Sequence, residues 1–129
     1  MQIKQQIKFG GTKEGIDELA QMVLTGEKVA TSSLLDYYLE GLKKKSSVGD
    51  CLAVLDSCDN QIAIIKIVKT EIRRFGDITE SFAIQEGDGS LTNWKAIHRP
   101  YYSKLLSSIG KQLTDNTELV CEWFQVIEE

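Results

Sequence analysis

The most constraining feature of this sequence is a nearly unbroken apolar run in mid-chain, residues 62–68, which reads IAIIKIV. Isoleucine and valine are stiff β-branched residues that favour strands over helices. A strand of this composition is either buried on both faces or closed into a barrel. The chain must therefore build a sheet that is covered where this run lies.

Two further segments supply partners for that strand. Residues 50–56 are also β-rich, and the turn residues at 57–60 join them to the strand at 62–72 as a predicted hairpin. Residues 118–126 alternate between apolar and polar side chains, with Val120, Phe124 and Val126 on one face. This pattern predicts a closing strand.

Helical patterns surround these strands. Apolar residues at Ile16, Leu19, Ala20, Val23 and Leu24 follow helical spacing, and a helix with this face is expected to end at Gly26. The sequence predicts further helices at 34–42, at 78–85 and from Ser90 onward. An Asp77–Glu80 capping box is expected to open the helix at 78–85. Pro100 predicts a kink or break in the last helix. Residues 1–12 are interpreted as a polar lead.

Size and composition narrow the class of protein. A chain of 129 residues with net charge −4 fits a single α+β domain over residues 1–129. No apolar run approaches the roughly 20 residues of a membrane helix, and the N-terminus lacks the apolar core of a signal peptide. Three cysteines and one histidine, without a CxxC pair, favour a reducing cytoplasm and predict neither a metal site nor a cofactor. We expect a cytoplasmic monomer or weak homodimer.

A Lys-x-x-Thr pair, Lys28 and Thr31, directly follows the first predicted helix. Ligands often bind at helix ends, where backbone groups are free. A desolvated lysine can lose its proton and activate a neighbouring hydroxyl, and Glu86, beside a glycine turn, could shuttle a proton. The simpler alternative is a surface lysine and a threonine that caps a helix.

Basic and aromatic residues form a second set of candidates. An acidic protein can still carry one basic groove, and Lys66, Arg73 and Arg74 belong to one basic group along the long predicted strand. Lys95 and Arg99 share a helix face beside His98, which is either a structural histidine or a contact to a phosphate or base. Trp94 could stack a base, although aromatic residues at helical spacing more often belong to a core.

These pieces together resemble the ASCH-domain family, a PUA-like group of small predicted RNA-binding proteins. The resemblance rests on G-x-K-x-A-T at residues 26–31 and on E-G-x-G-x-x-x-x-W-x-x-x-H at residues 86–98. It is extended by FGG near the N-terminus, by VGD leading into CLAVLD and by the terminal VCEWFQVI, so that it covers about residues 9–127. FGG stands where the family more usually has FGD.

The resemblance implies a small PUA-like β-barrel of about five or six strands flanked by helices, with a cleft for RNA or a nucleoside. The superfamily includes an N4-acetylcytidine amidohydrolase that uses a Lys-x-x-Thr pair and a glutamate, and it also includes a ribonuclease. By motif, Lys28 and Thr31 match that pair, and Glu86 is the best counterpart of the glutamate.

Two functions follow as expectations. The first is binding of single-stranded RNA or a modified nucleoside or nucleotide in a cleft lined by Lys28, Thr31, Glu86 and His98, with the basic residues leading the phosphates in. The alternative is hydrolysis, either of an N4-acylated cytidine-type nucleoside or of RNA. For the amide, Thr31 is the nucleophile, Lys28 its base and Glu86 the acid.

Overall fold

A five-stranded mixed sheet forms the centre of the protein. The computed structural model describes residues 2–128, so Met1 and Glu129, the ends of the predicted domain, lie outside the described residues. The strands are β1 (Ile3–Ile7), β2 (Ala30–Leu34), β3 (Cys51–Leu55), β4 (Gln61–Arg74) and β5 (Glu118–Ile127). Their order in the sheet is β1-β3-β4-β5-β2, with β1 parallel to β3 and the other pairs antiparallel.

The apolar run lies in β4, as the sequence predicts, and β4 is the central strand of the sheet. Ala63, Ile64 and Ile65 are all buried. Because successive side chains of a strand point to opposite faces, three buried residues in a row require cover on both faces. The predicted hairpin with β3 and the closing strand β5 are both present, one on each side of β4.

The prediction of a closed barrel is wrong, although the α+β class is confirmed. β1 pairs only with β3 and β2 pairs only with β5, so these two strands are the free edges of an open sheet. Closure would require β1 and β2 to pair with each other. Instead, residues of both edge strands line one cavity that lies between them.

Four helices and one 3-10 turn (Phe75–Asp77) complete the described chain. They are α1 (Lys13–Thr25), α2 (Leu35–Leu39), α3 (Glu80–Gln85) and α4 (Leu91–Ser107). Three local predictions need correction. The N-terminal segment predicted as a polar lead contains β1, and α2 is shorter than the predicted helix at 34–42. The cap of α3 is Thr79 rather than Asp77, since the Thr79 hydroxyl accepts a hydrogen bond from the Phe82 amide at 3.1 Å. α4 also continues through Pro100 without a break. Pro100 is exposed, so water can satisfy the carbonyl that its ring leaves unbonded.

The hydrophobic core has two parts, and the cavity lies between them. One cluster joins α3 and α4 to β2 and β5, and its largest buried side chains are Phe75, Phe82, Trp94 and Tyr102. The other joins α1 to β3 and β4, with Phe124 from β5. Leu34 and Tyr102 of the first cluster and Ile65 and Phe124 of the second all line the cavity. Among the described residues, none of the helices has the length and apolar character needed to cross a membrane.

Candidate ligand site at a buried lysine–glutamate pair

The turn after α1 fixes the position of Lys28. Gly26 has a left-handed backbone (φ 84°) that ends the helix, and its amide donates to the Val23 carbonyl at 3.2 Å. The Lys28 amide then donates to the carbonyl of Met22 at 3.0 Å, and the Val29 amide donates to that of Gln85 at 2.8 Å. The backbone of Lys28 is therefore held between the ends of α1 and α3.

The Lys28 ammonium group is buried, with only 3% of the residue exposed. It donates to the Ala30 carbonyl at 2.8 Å, to the Glu86 carbonyl at 3.2 Å and to Glu86 Oε1 at 3.5 Å. It also lies over the ring of Phe9, 4.9 Å from the centroid. Burial lowers the pKa of Lys28, while the carboxylates of Glu86 and Asp88 oppose that shift.

Glu86 is the hub of the site. Its carboxylate accepts hydrogen bonds from the Ser32 amide at 3.3 Å, from the Ser32 hydroxyl at 2.8 Å and from Trp94 Nε1, in addition to the bond from Lys28. Burial raises the pKa of Glu86, but the Lys28 charge and the His98 ring outweigh it and lower the pKa to about 2. Glu86 is therefore an ionised carboxylate with its lone pairs occupied.

His98 and Asp88 extend this network. His98 Nδ1 lies 2.9 Å from the Trp94 carbonyl and Nε2 lies 3.6 Å from Glu86 Oε2. Burial lowers the pKa of His98, but Glu86 more than compensates, so the net shift is upward. Asp88 Oδ2 is buried without a hydrogen-bond partner among residues 2–128 and lies 3.7 Å from His98 Nδ1. Burial raises the pKa of Asp88.

Glu86, Asp88 and His98 could together ligate a metal ion, since one ligand atom from each lies within 4.8 Å of the others. Glu86, however, already accepts a full set of hydrogen bonds and pairs with a buried cation. A second cation would have to displace part of that network. The donor set therefore fits a charged hydrogen-bond network better than a metal centre.

The cavity beside this network has a volume of about 480 Å³. Thr31 lines it together with Lys28, Glu86 and His98. The Thr31 hydroxyl makes no side-chain hydrogen bond with the described residues, because successive side chains of β2 point to opposite sides and it is Ser32 that faces Glu86. The Ser32 hydroxyl also bonds the Tyr102 hydroxyl at 2.7 Å.

The structure places the other predicted binding residues outside the cavity. Lys66, Arg73, Arg74, Lys95 and Arg99 do not line it. Arg73 bonds Glu71 at 2.8 Å and lies over the Trp123 ring, and Arg99 lies over the ring of Phe75. Trp94 is fully buried and stacks on His98 at 4.3 Å between ring centroids.

Sequence reasoning missed several polar residues of the cavity wall, among them Ser32, Asp88 and Glu122. No local pattern links Ser32 to Glu86, which lies 54 residues further along the chain. A signal for Glu122 was present. It shares a strand face with Val120, Phe124 and Val126, the face predicted to be buried.

Gly87 directly follows Glu86 in a turn with a left-handed backbone, and its replacement should destabilise the fold. Gly87 has φ +97°, and a Cβ atom there would lie 2.5 Å from Met22 Cε, the end of a flexible side chain that can move aside. We expect Gly87→Ala to lower the free energy of unfolding by about 1–2 kcal/mol in urea denaturation, mainly through backbone strain. Gly11→Ala is the matched control, because Gly11 has no left-handed φ and nothing lies within 4 Å of the added Cβ. Equal losses in the two variants would contradict this account.

Comparisons with known proteins place the chain in a wider group. A family model described as the ASCH domain matches residues 5–128. The crystal structure of an ASCH domain from Lactobacillus crispatus JV V101 superposes with a TM-score of 0.90 at 28% identity, over 95% of this chain and 78% of that one. A crystal structure from Enterococcus faecalis V583 gives a TM-score of 0.89 at 31% identity, over 98% and 78% of the two chains. No curated protein matches the sequence.

Proposed function

The chain belongs to the ASCH domain family, and from that premise we propose that its cavity binds a nucleotide unit of single-stranded RNA or a free modified nucleoside or nucleotide. The observation that carries the proposal is a cavity of about 480 Å³ with a buried Lys28–Glu86 pair in its wall. Ligand pockets in proteins span about 300–1,000 Å³, combining apolar walls with a few fixed polar groups. This cavity has both features.

The walls suit a base and a phosphate. Tyr37, Tyr38 and Tyr101 are partly exposed and line the cavity, so their rings are available for stacking with an unpaired base. Lys43 and Lys44 line it as well and bring positive charge to the site. They replace Lys66, Arg73 and Arg74 as the residues we propose for the phosphates, because those three lie outside the cavity.

Binding is favoured over catalysis by the state of Glu86. A general acid must carry a proton to donate, whereas the pKa of Glu86 is lowered to about 2. The Lys28 ammonium donates to three acceptors in the protein, and these contacts favour its protonated form against the effect of burial, which lowers the pKa. The pair is built to present a fixed electrostatic surface to a ligand.

A substitution in the cavity wall tests this proposal. Ile97 lines the cavity and is 47% exposed, so Ile97→Glu should fold while repelling an anionic ligand. We expect the affinity for a fluorescein-labelled single-stranded RNA, measured by anisotropy, to fall by about tenfold or more. Ile84→Glu is the matched control, because Ile84 is 52% exposed, lies outside the cavity and receives the same charge. Equal effects of the two variants would place the RNA elsewhere.

The salt dependence of the same titration tests the role of the lysines. Two phosphate contacts, by Lys43 and Lys44, give a slope of log affinity against log salt near −1.4, which is roughly a sevenfold loss between 50 and 200 mM salt. The double variant Lys43→Gln/Lys44→Gln should flatten this slope. A flat slope in the unmodified protein would exclude phosphate contacts.

Hydrolysis is the second candidate, favoured by one observation: Lys28, Thr31 and Glu86 all line the same cavity. It requires Thr31 to attack an N4-acyl group on a cytidine-type base, or Lys28 and Glu86 to act on RNA. Incubation with N4-acetylcytidine and detection of cytidine tests the first version, with Thr31→Val as the inactive control. RNA cleavage that persists in Lys28→Met would exclude the second. Absence of both activities in a protein that binds RNA supports binding alone.

A further inference from the structure

A second polar group lies in the cavity wall, separate from the Lys28–Glu86 network. Glu122 of β5 lines the cavity, and only 6% of the residue is exposed. It lies opposite Thr31 of β2 and Thr70 of β4 in the sheet register. No hydrogen bond connects it to Glu86 or to the partners of Glu86 among the described residues.

The Glu122 carboxylate makes no side-chain hydrogen bond or ion pair with any residue between 2 and 128. Its oxygens are not among the fully buried atoms that lack a partner, where Asp88 Oδ2 stands alone in that range, so the carboxylate is open to the cavity and a ligand can reach it. Burial raises the pKa of Glu122, and the charge of Lys43 in the same wall partly counters that shift. Lys43 itself lies over the Tyr38 ring, 5.9 Å from the centroid, and does not bond the carboxylate.

Two free carboxylate oxygens inside a ligand cavity call for two donors from the ligand. A carboxylate accepts two parallel N–H bonds in a bidentate arrangement, and hydrogen bonds to a charged acceptor are about twice as strong as neutral ones. Among the standard bases, only guanine presents two adjacent N–H donors, at N1 and N2. Uracil offers a single N–H flanked by two carbonyl oxygens, which a carboxylate repels.

We propose that Glu122 is the specificity-determining residue of the cavity and that it selects a guanine-type base edge with two adjacent N–H donors. This inference rests on the proposed function, because it assumes that a base enters the cavity. Tyr38, which lies in the same part of the wall, is placed to contact the ring of such a base. The site built for these donors should reject a base that lacks one of them, since part of the carboxylate then stays unpartnered.

Guanosine and inosine monophosphates provide the matched probes, because they differ only in the N2 amino group. We expect calorimetric titration of the full chain to show GMP binding about tenfold tighter than IMP, and tighter than UMP by at least as much. Glu122→Gln presents one acceptor and one donor in place of two acceptors. In this variant the GMP preference over IMP should shrink to about threefold or less.

Glu118→Gln is the control, since Glu118 lies on the same strand but is exposed and outside the cavity. It should keep the GMP preference of the unmodified protein. Equal binding of GMP and IMP, or a preference that survives Glu122→Gln, would overturn the assignment of Glu122 while leaving the proposed function intact. If neither the mononucleotides nor RNA bind, the proposed function itself fails.

Discussion

Glu86→Ala is expected to lower the free energy of unfolding by about 3–5 kcal/mol, the largest loss for any single substitution in the site. The change leaves the Lys28 ammonium buried without its carboxylate partner, and breaking one side of a buried ion pair costs about this much. It also leaves Trp94 Nε1 without its acceptor inside the core. Urea denaturation followed by tryptophan fluorescence measures the loss.

Two further variants separate this cause from a general loss of packing. Glu80→Ala removes a carboxylate from the exposed first turn of the same helix, α3, and should change the stability little. The double variant Lys28→Met/Glu86→Leu removes both charges and should recover at least about half of the loss. If the double variant is less stable than Glu86→Ala, the unpaired ammonium is not the source of the instability.

The stability of the protein should also fall in acid through Glu86. Its pKa is about 2 in the folded protein against an ordinary value of 4.5, so its contribution is complete above 4.5 and is lost as the pH falls towards 2. Relative to Glu86→Gln, the unmodified protein should lose about 2 kcal/mol between pH 6 and pH 3. Denaturation of both proteins at the two pH values measures this difference.

The comparison of the unmodified protein with Glu86→Gln needs a control for His98, the neighbouring group that also changes charge with pH. Burial lowers the pKa of His98, but Glu86 raises it by more, so the net shift is upward. His98 therefore adds stability at low pH that is lost as the pH rises through its pKa, the opposite direction to Glu86. Repeating the comparison in a His98→Gln background removes this contribution. A difference between the two proteins that stays constant from pH 6 to pH 3 would show that Glu86 is not held ionised.

The sheet could be predicted in large part from the sequence because its signals are local. The apolar run of β4 and the alternation in β5 reflect burial directly, and the turn residues before β4 identify the hairpin with β3. β1 was not predicted, although Ile3, Gln5 and Ile7 share one face, because alternation over only five residues is a weak pattern. Barrel closure could not be decided because it depends on whether two distant edge strands meet.

The candidate site was only partly predictable, because it also depends on contacts between residues that are far apart in the sequence. Lys28 and Glu86 were identified by motif, and they do meet, at 3.5 Å. The role of Ser32 depends on one residue of register in β2, which determines whether Ser32 or Thr31 faces Glu86. Local patterns do not fix that register. The burial of Trp94 agrees with the interpretation of aromatic residues at helical spacing as core residues, but its contact with Glu86 depends on how α4 packs against α3.

The central claim is that the cavity between β1 and β2 is where a nucleotide binds, and a two-dimensional ¹H–¹⁵N spectrum recorded during titration with GMP tests it most directly. The account predicts shifts concentrated at the amides of Thr31, Ser32, His98 and Glu122, which line the cavity. It also predicts little change at Ile84, outside it. Shifts confined to the basic end of β4, at Arg73 and Arg74, or no shifts at millimolar nucleotide, would contradict the account.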